Sequence, residues 1–518
     1  MEKTVYVVPK EAEKRIYDEL AGIVGDRFVS NDAGELYVYS KDIVNPGHKP
    51  GGLDFVAMPE TTEEVQKIVL LANREKIPIR PRFADTGTGA GMNVPAGGIV
   101  LDLRRMNEIY EVDEEGMYAL IQPGVTFSEL DRYLREHDPD LWFGHNMGPQ
   151  NSTIGGCLFT WGMMNHNYIS GAGSDLIASM EVVTPTGEII RTGCAGYNDQ
   201  NWQQRPPVPD LGGLFDQWSG ATGIVTKMAI HLLPKCKMSM YIILANSYRD
   251  IIDRISLPIV KADLGELWHM SLSMGMVAQT AGPLMGINIP SWLIDKATGL
   301  KIFTLVVLGA HTEEELRTKE KSFKKIVRDG NGMCLNVGSA LNVLGKMVDF
   351  RMMPSIGQML ALAKEEGYTQ PDAWMYSGLF AMCAGNVGWA AGGLCCDGGF
   401  MPNRNISAFY EDSERWSKEE YGEDICNWYR FMKHGHVANV RIDVHSFDRS
   451  DKERTRWANK RLRGAEELYY KHGGVPYRPN ADLKAMMREK MDPSTREFMK
   501  KLQEFLDPNN IMNPTERW

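Results

Sequence analysis

The stretch Ile79-Arg-Pro-Arg-Phe-Ala-Asp85-Thr-Gly87-Thr-Gly89-Ala-Gly91-Met-Asn-Val-Pro95, followed by Gly97-Gly-Ile-Val-Leu-Asp102, constrains this chain more than any other. Glycine at every second position, with Thr86 and Thr88 between, lets the backbone turn sharply and aim several N–H groups at one anion, with hydroxyls as extra donors. A phosphate or pyrophosphate is the natural guest. The usual dinucleotide fingerprint requires a helix directly after the glycines, whereas Gly98 to Leu103 reads as a strand. A P-loop requires Gly-Lys-Ser/Thr, which does not follow. The loop either belongs to another phosphate-binding architecture or is a glycine-rich surface turn.

Three further loops weigh against the turn. Gly148-Pro-Gln-Asn-Ser-Thr-Ile-Gly155-Gly156, Gly171-Ala-Gly173-Ser-Asp175 and Gly220-Ala-Thr-Gly223-Ile-Val-Thr226 repeat the same chemistry, the last running into an apolar strand from Lys227 to Leu233. Four loops of Gly, Ser and Thr within ~150 residues are most economically the walls of one extended, phosphate-bearing cofactor site.

Between the loops the pattern alternates. Phe55 to Pro59 is a strand ended by proline, and Thr61-x-x-Glu64 is a capping box opening a helix with Val65, Ile68, Val69 and Ala72 on one face. Tyr118 to Gln122 is another strand, and Thr126-x-x-Glu129 opens a helix with Phe127, Leu130 and Leu134 on its apolar face. Met180 to Thr192 reads as a hairpin. Residues 1–50 form a lead-in, with a strand from Val5 to Val8 and a short helix from Glu11 to Leu20. Strands alternating with amphipathic helices make this half α+β or α/β.

At 518 residues the chain is long enough for two or three domains. Its net charge of −10 argues against nucleic acid and against an anionic membrane surface as partners. No stretch approaches the length of a spanning helix and the N-terminus has no signal-like apolar run, so a cytoplasmic location is expected. Of the eight cysteines, Cys395 and Cys396 are adjacent and none forms a CxxC pair, so neither a disulfide framework nor a metal site is expected.

The ordered set Pro59-Glu-Thr-Thr-Glu-Glu-Val-Gln66, Gln122-Pro-Gly-Val-Thr126, Ser152-Thr-Ile-Gly-Gly156, Met180-Glu-Val-Val183 and Gly223-Ile-Val-Thr226 resembles the FAD-binding domain of the vanillyl-alcohol oxidase and p-cresol methylhydroxylase (PCMH-type) flavoprotein superfamily. The closing Leu506-Asp-Pro-Asn-Asn-Ile-Met-Asn-Pro514 is similar to that family's C-terminal signature. The likeness spans about residues 50–235 and 440–518. It implies an α+β protein with a two-lobed FAD domain built by both ends of the chain and an inserted α+β cap. The expected division is a lead-in over 1–50, the FAD domain over 51–235, a cap over 236–450, and a segment over 451–518 returning to the FAD domain and the active site.

On this resemblance, Pro81, Asp85, Thr86, Gly87, Thr88, Gly89, Ala90 and Gly91 line the cofactor in the first loop, and Pro149, Asn151, Ser152, Gly155 and Gly156 in the second. Gly173 and Asp175 do so in the third, and Gly223 and Ile224 in the fourth. FAD is expected to be bound without a covalent link, because the segment before Ala391 lacks the histidine that carries it in some members; a tyrosyl or cysteinyl link, for instance through Cys395, is left open.

A tyrosine beside an arginine, Tyr477-Arg478, offers one neutral donor and one fixed cation to a phenolate or carboxylate. In the phenol-oxidising branch such a pair holds the substrate phenolate. That branch's second tyrosine falls near Ala90 and its flavin-side acid near Met147, so both are missing. His145 and His166 are loop histidines able to supply a base near neutral pH. The run His434-Gly-His436-Val-Ala-Asn-Val-Arg441-Ile-Asp-Val-His445 resembles the strand on which related 2-hydroxyacid dehydrogenases hold a metal. On a strand His434 and His436 share a face and His445 does not, so a metal site is not expected and His436 is expected in the substrate cavity.

The resemblance implies an enzyme removing a hydride from a para-substituted phenol or related aromatic alcohol. The alternatives are a 2-hydroxyacid (D-lactate or glycolate type) dehydrogenase and a non-catalytic electron-carrier subunit. Expected partners are a small organic substrate, an electron acceptor that is oxygen or a protein (a cytochrome or an electron-transferring flavoprotein), and a second copy in a homodimer or larger oligomer.

Overall fold

The computed structural model describes residues 8–40, 52–86, 97–138, 140–144, 151–265, 268–273, 302–336, 392–423, 427–448, 450–477 and 481–514. The first lobe is a sheet of β1 (Val29–Ser30), β2 (Phe55–Ala57), β3 (Ile79–Arg82) and β4 (Ile99–Asp102) in the order β1-β2-β4-β3. Both β2 and β3 run parallel to β4, so a crossover must join them, and helix Thr62–Glu75 is that crossover. Thr61 Oγ1 accepts from the Glu64 N–H at 3.2 Å, while Glu64 Oε2 accepts from the Glu60 N–H at 2.7 Å. The reciprocal contact thus closes one residue earlier than a strict capping box. The helix buries Val65, Ile68, Val69 and Ala72 against Phe55, Ile79, Ile99 and Leu101.

Helix Lys10–Val24 adds Ile16, Leu20 and Val24 to that core, and β1 pairs with β2, so the expected lead-in is an integral part of the lobe. Of the strand expected at 5–8, all but Val8 lies outside the described residues. At the far edge, Ile79 N–H donates to the Ile511 carbonyl at 2.7 Å and Asn513 N–H to the Ile79 carbonyl at 2.8 Å. Ile511 and Met512 are buried in the same core, so both ends of the chain build this lobe.

The second lobe comprises β5 (Ile109–Asp113), β6 (Tyr118–Ile121), β8 (Ile177–Val183), β9 (Ile189–Arg191) and β10 (Ile224–His231), antiparallel in the order β5-β6-β10-β8-β9; β7 (Leu141–Trp142) pairs with β11 (Leu233–Pro234) beside it. Helix Phe127–His137 starts with a complete capping box between Thr126 and Glu129 and buries Phe127, Leu130 and Leu134 against this sheet.

The cap is an eight-stranded antiparallel sheet of β12 (Lys237–Ala245), β13 (Trp268–Ser273), β14 (Ile302–Ala310), β15 (Met333–Asn336), β16 (Gly392–Met401), β17 (Trp428–Met432), β18 (Val437–Asp448) and β19 (Val475–Pro476), ordered β15-β12-β14-β13-β17-β18-β16-β19. Helices Glu313–Asp329, Ile406–Tyr421 and Lys452–Lys471 cover one face, burying Tyr429, Phe431, Ala438, Val440 and Ile442 with Phe323, Phe409 and Tyr469. Because side chains alternate along a strand, Trp428, Arg430, Asn439 and Arg441 occupy the other face. The sheet and its covering helix continue to residue 476, past the boundary expected at 450. Among the described residues no helix is long and apolar enough to cross a membrane.

Candidate active site

Parallel β3 and β4 deliver the first glycine loop to one edge of the first lobe. There Arg82 Nη2 donates to Asp85 Oδ2 at 2.5 Å, its other nitrogen donates to the Tyr39 carbonyl, and Asp85 has a left-handed φ of 54°. Thr86 Oγ1 then lies 2.5 Å from Ser152 Oγ, so the first and second loops touch hydroxyl to hydroxyl. Ser152 is buried, and its place is set by main-chain ties: Phe127 N–H to the Ser152 carbonyl at 3.1 Å, Ile154 N–H to Val125 at 2.8 Å and Gly155 N–H to Pro123 at 2.9 Å. A methyl group on Gly155 would meet Pro123 Cβ at 2.5 Å, and one on Gly156 would meet Phe83 Cβ at 3.0 Å. Asn151 is exposed beside them.

The fourth loop closes on the same place. Gly220 has φ +76°, and a Cβ there would lie 2.2 Å from Pro81 Cγ, while Asn513 Nδ2 donates to the Ser219 carbonyl at 2.7 Å. Gly223 leads into β10, where Ile224 pairs with Val183 and its side chain is buried in the core. In the third loop a Cβ on Gly173 would meet Leu158 Cα at 2.9 Å. Asp175 accepts from its own turn, Ala172 N–H at 2.9 Å, and faces Lys433 Nζ of the cap at 3.2 Å, so its carboxylate ties lobe to cap. Gly87, Thr88, Gly89, Ala90, Gly91 and Pro149 lie outside the described residues. Converging loops with paired small hydroxyls and close-packed glycines fit the phosphate-bearing part of FAD.

The cap meets these loops through its uncovered face. Tyr477, 5% exposed, has its N–H on the Gly398 carbonyl at 2.7 Å, and its hydroxyl donates to the carbonyl of Trp161 in the FAD domain. Its ring meets Phe400 edge-on at 5.3 Å, and Trp161 meets the same Phe400 at 5.2 Å. The Arg441 guanidinium lies 5.2 Å from the Tyr477 ring and 5.3 Å from that of Trp428. Gly398 makes this possible, since a Cβ there would meet Arg441 Cγ at 3.0 Å. Arg430 Nη2 donates to the Asn165 carbonyl at 3.0 Å. Complete burial pushes the Arg430 guanidinium down to about 9. Burial likewise pushes the Asp216 carboxyl up to about 6, against the Ser174 hydroxyl and the Trp161 indole N–H at 3.3 Å, which favour its ionised form.

Sequence reasoning missed Trp161, Asp216, Arg430, Asn439 and Arg441. For Arg430, Asn439 and Arg441 the signal available was polar residues alternating with apolar ones along Trp428 to Met432 and Val437 to Ile442.

The histidines depart from expectation. His434 and His436 are not on a strand: Lys433, His434 and Gly435 have φ of 51°, 50° and 78°, making a tight turn between β17 and β18. His436 is exposed there rather than facing a cavity, and His434 Nδ1 lies 2.8 Å from Asp263. His166 is fully buried, 5.7 Å from the Trp142 ring and 5.8 Å from Phe143, under Gly144, where a Cβ would overlap its ring. His145, Arg478 and Met147 lie outside the described residues, as do the Cys395, Cys396 and His445 side chains.

Comparison with known proteins agrees with this geometry. The family described as FAD binding domain matches residues 53–193. The 4-cresol dehydrogenase [hydroxylating] flavoprotein subunit of Pseudomonas putida is 25% identical over 95% of this chain and 93% of its own length. Glycolate oxidase subunit GlcD of Bacillus subtilis is 33% identical, over 43% of this chain and 45% of its own. The crystal structure of p-cresol methylhydroxylase with substrate bound superposes with a TM-score of 0.80 at 21% identity, covering 98% of this chain and 97% of that one, which shows the shared fold. The cradle, the cap and these likenesses together give the chain a PCMH-type fold with an FAD-binding domain and make it an FAD-dependent oxidoreductase.

Proposed function

We propose that the protein removes a hydride from the benzylic carbon of a para-substituted phenol or related aromatic alcohol. The observation that carries this reading is Tyr477, buried on the uncovered face of the cap against FAD-domain residue Trp161 and flanked by Phe400 and Arg441. Aromatic walls suit an aromatic ring, and buried guanidinium groups suit an anionic oxygen. The phenol-oxidising relative is also similar over nearly the whole of both chains, whereas the glycolate-oxidising one is similar over less than half of each.

FAD, bound in the glycine-loop cradle, supplies the hydride acceptor. Thr86, Ser152 and the glycines at 155, 156 and 220 would hold it. The chain's own residues would bind, orient and shield the substrate. A phenolate next to Arg478 is stabilised as charge leaves the benzylic carbon, because the negative ring favours a quinone-methide-like product. The Tyr477 hydroxyl donates to a neutral carbonyl, and a phenolate is the stronger acceptor, so the substrate would accept that hydrogen bond in its place while Arg478 supplies the charge. The electron acceptor would be oxygen or a partner protein.

The discriminating experiment is anaerobic bleaching of the flavin. Bleaching by 4-hydroxybenzyl alcohol or a 4-alkylphenol supports the reading, whereas bleaching by D-lactate or glycolate alone replaces it with 2-hydroxyacid oxidation, Arg478 then holding the carboxylate. Flavin that no organic donor bleaches but that exchanges electrons with a protein would mark a carrier subunit.

A further inference from the structure

Asn439 is fully buried in the middle of β18, and among the described residues neither its carbonyl oxygen nor its amide nitrogen has a hydrogen-bond partner. Such a group is rare in a folded protein, because desolvating an amide without replacing its water hydrogen bonds is unfavourable. Its direction follows from the ladder. Ala438 and Val440 on either side point into the helix-covered core, so Asn439 points to the opposite face, where Arg430 and Phe400 are its cross-strand neighbours. Those two reach the FAD domain side: Arg430 contacts the Asn165 carbonyl, and Phe400 packs against Trp161 and Tyr477.

We propose that Asn439 is a substrate-contacting residue that recognises a hydroxyl group of the molecule being oxidised. The inference rests on the reading above, that the substrate lies between this face and the flavin. A carboxamide presents a donor and an acceptor together, and a neutral hydroxyl complements both, its oxygen taking the Nδ2 hydrogen and its proton going to Oδ1. A carboxylate would satisfy Nδ2 but set a negative charge against Oδ1. Tyr477 lies two strands away and two residues along the sheet, roughly 10 Å across and 7 Å along by ladder geometry. Tyr477 and Asn439 therefore address opposite ends of a small aromatic molecule, the first the phenolic oxygen and the second the benzylic hydroxyl. The substrate class this selects is a 4-hydroxybenzylic alcohol in preference to a 4-alkylphenol.

The test is the ratio of kcat/KM for 4-hydroxybenzyl alcohol to that for 4-methylphenol, measured on FAD-loaded wild type, Asn439→Leu and Asn439→Ala. The alcohol should be preferred by the wild type. Both variants should reduce the ratio about 5- to 10-fold, the worth of one neutral hydrogen bond. In the ligand-free holoenzyme Asn439→Leu should melt no lower than wild type, since it removes an unmet polar group and no hydrogen bond to the protein; Asn439→Ala guards against a packing fault caused by the leucine. Equal losses on both substrates, or an unchanged ratio, would overturn the assignment while leaving phenol oxidation standing. A clear fall in melting temperature for both variants would show that the amide serves the fold. A wild type that oxidises neither compound removes the underlying reading and this inference with it.

Discussion

Gly220 offers a measurement of how tightly the cofactor cradle is built. Its φ of +76° lies in the left-handed region, and a Cβ there would stand 2.2 Å from Pro81 Cγ, where about 3.5–4 Å is a comfortable contact. Pro81 cannot retreat easily, because β3 is pinned by β4 on one side and by Ile511 and Asn513 on the other. Gly220→Ala should therefore cost about 1–2 kcal/mol for the backbone conformation and a further ~1–3 kcal/mol for the displaced proline. Gly422, which ends helix Ile406–Tyr421 with φ +66°, has nothing within 4 Å of the corresponding position, so Gly422→Ala carries the backbone cost alone and lies in the cap. The assay is flavin content of the purified protein together with the temperature at which flavin fluorescence is released. Gly422→Ala should keep full flavin. Gly220→Ala should be isolated partly as apoprotein and release flavin at a temperature lower by roughly 5–15 °C, taking about 2–4 °C per kcal/mol for a unit of this size. Full occupancy and an unchanged release temperature in Gly220→Ala would show that the fourth loop is only a turn and not a cradle wall.

Arg478→Ala should lower kcat/KM on a 4-hydroxybenzylic substrate by about 30- to 1000-fold, the equivalent of losing a charge-assisted contact of roughly 2–4 kcal/mol, with flavin content unchanged. Arg478→Lys should restore part of it; near-normal turnover in the alanine variant would make Arg478 a structural residue. Acid precipitation should release the yellow colour into the supernatant, and colour kept in the pellet would demonstrate a covalent link. Asp216 titrates near 6 in the folded protein, above the ordinary carboxylate value, so its effect on stability is absent below about pH 4 and stability is lost as pH rises through about 6. Asp216→Asn should recover roughly 2 kcal/mol at pH 7 and nothing at pH 4, and an equal effect at both would refute the burial argument.

Local features could be read directly from the residues. The helices Thr62–Glu75 and Phe127–His137 begin where Thr61 and Thr126 place a side-chain oxygen against an N–H three residues on, and their buried faces are the apolar positions at helical spacing. Gly155, Gly156 and Gly220 were legible because a backbone that must turn tightly or approach another group closely admits few residue types, and the hairpin from Met180 to Thr192 because Gly187, at positive φ, lies between two runs that pair Glu181 with Arg191 and Val183 with Ile189. The histidine run was misread because Gly435 can serve a strand or a turn, and the choice fell to the pairing of Met432 with Val437 across the sheet. The uncovered face of the cap could not be read at all. Which side of β17 and β18 is core depends on three helices from distant parts of the chain covering Tyr429, Phe431, Val440 and Ile442. Once that side is taken, side-chain alternation sends Arg430, Asn439 and Arg441 to the opposite face, where all three are buried and Arg430 reaches the Asn165 carbonyl of the FAD domain.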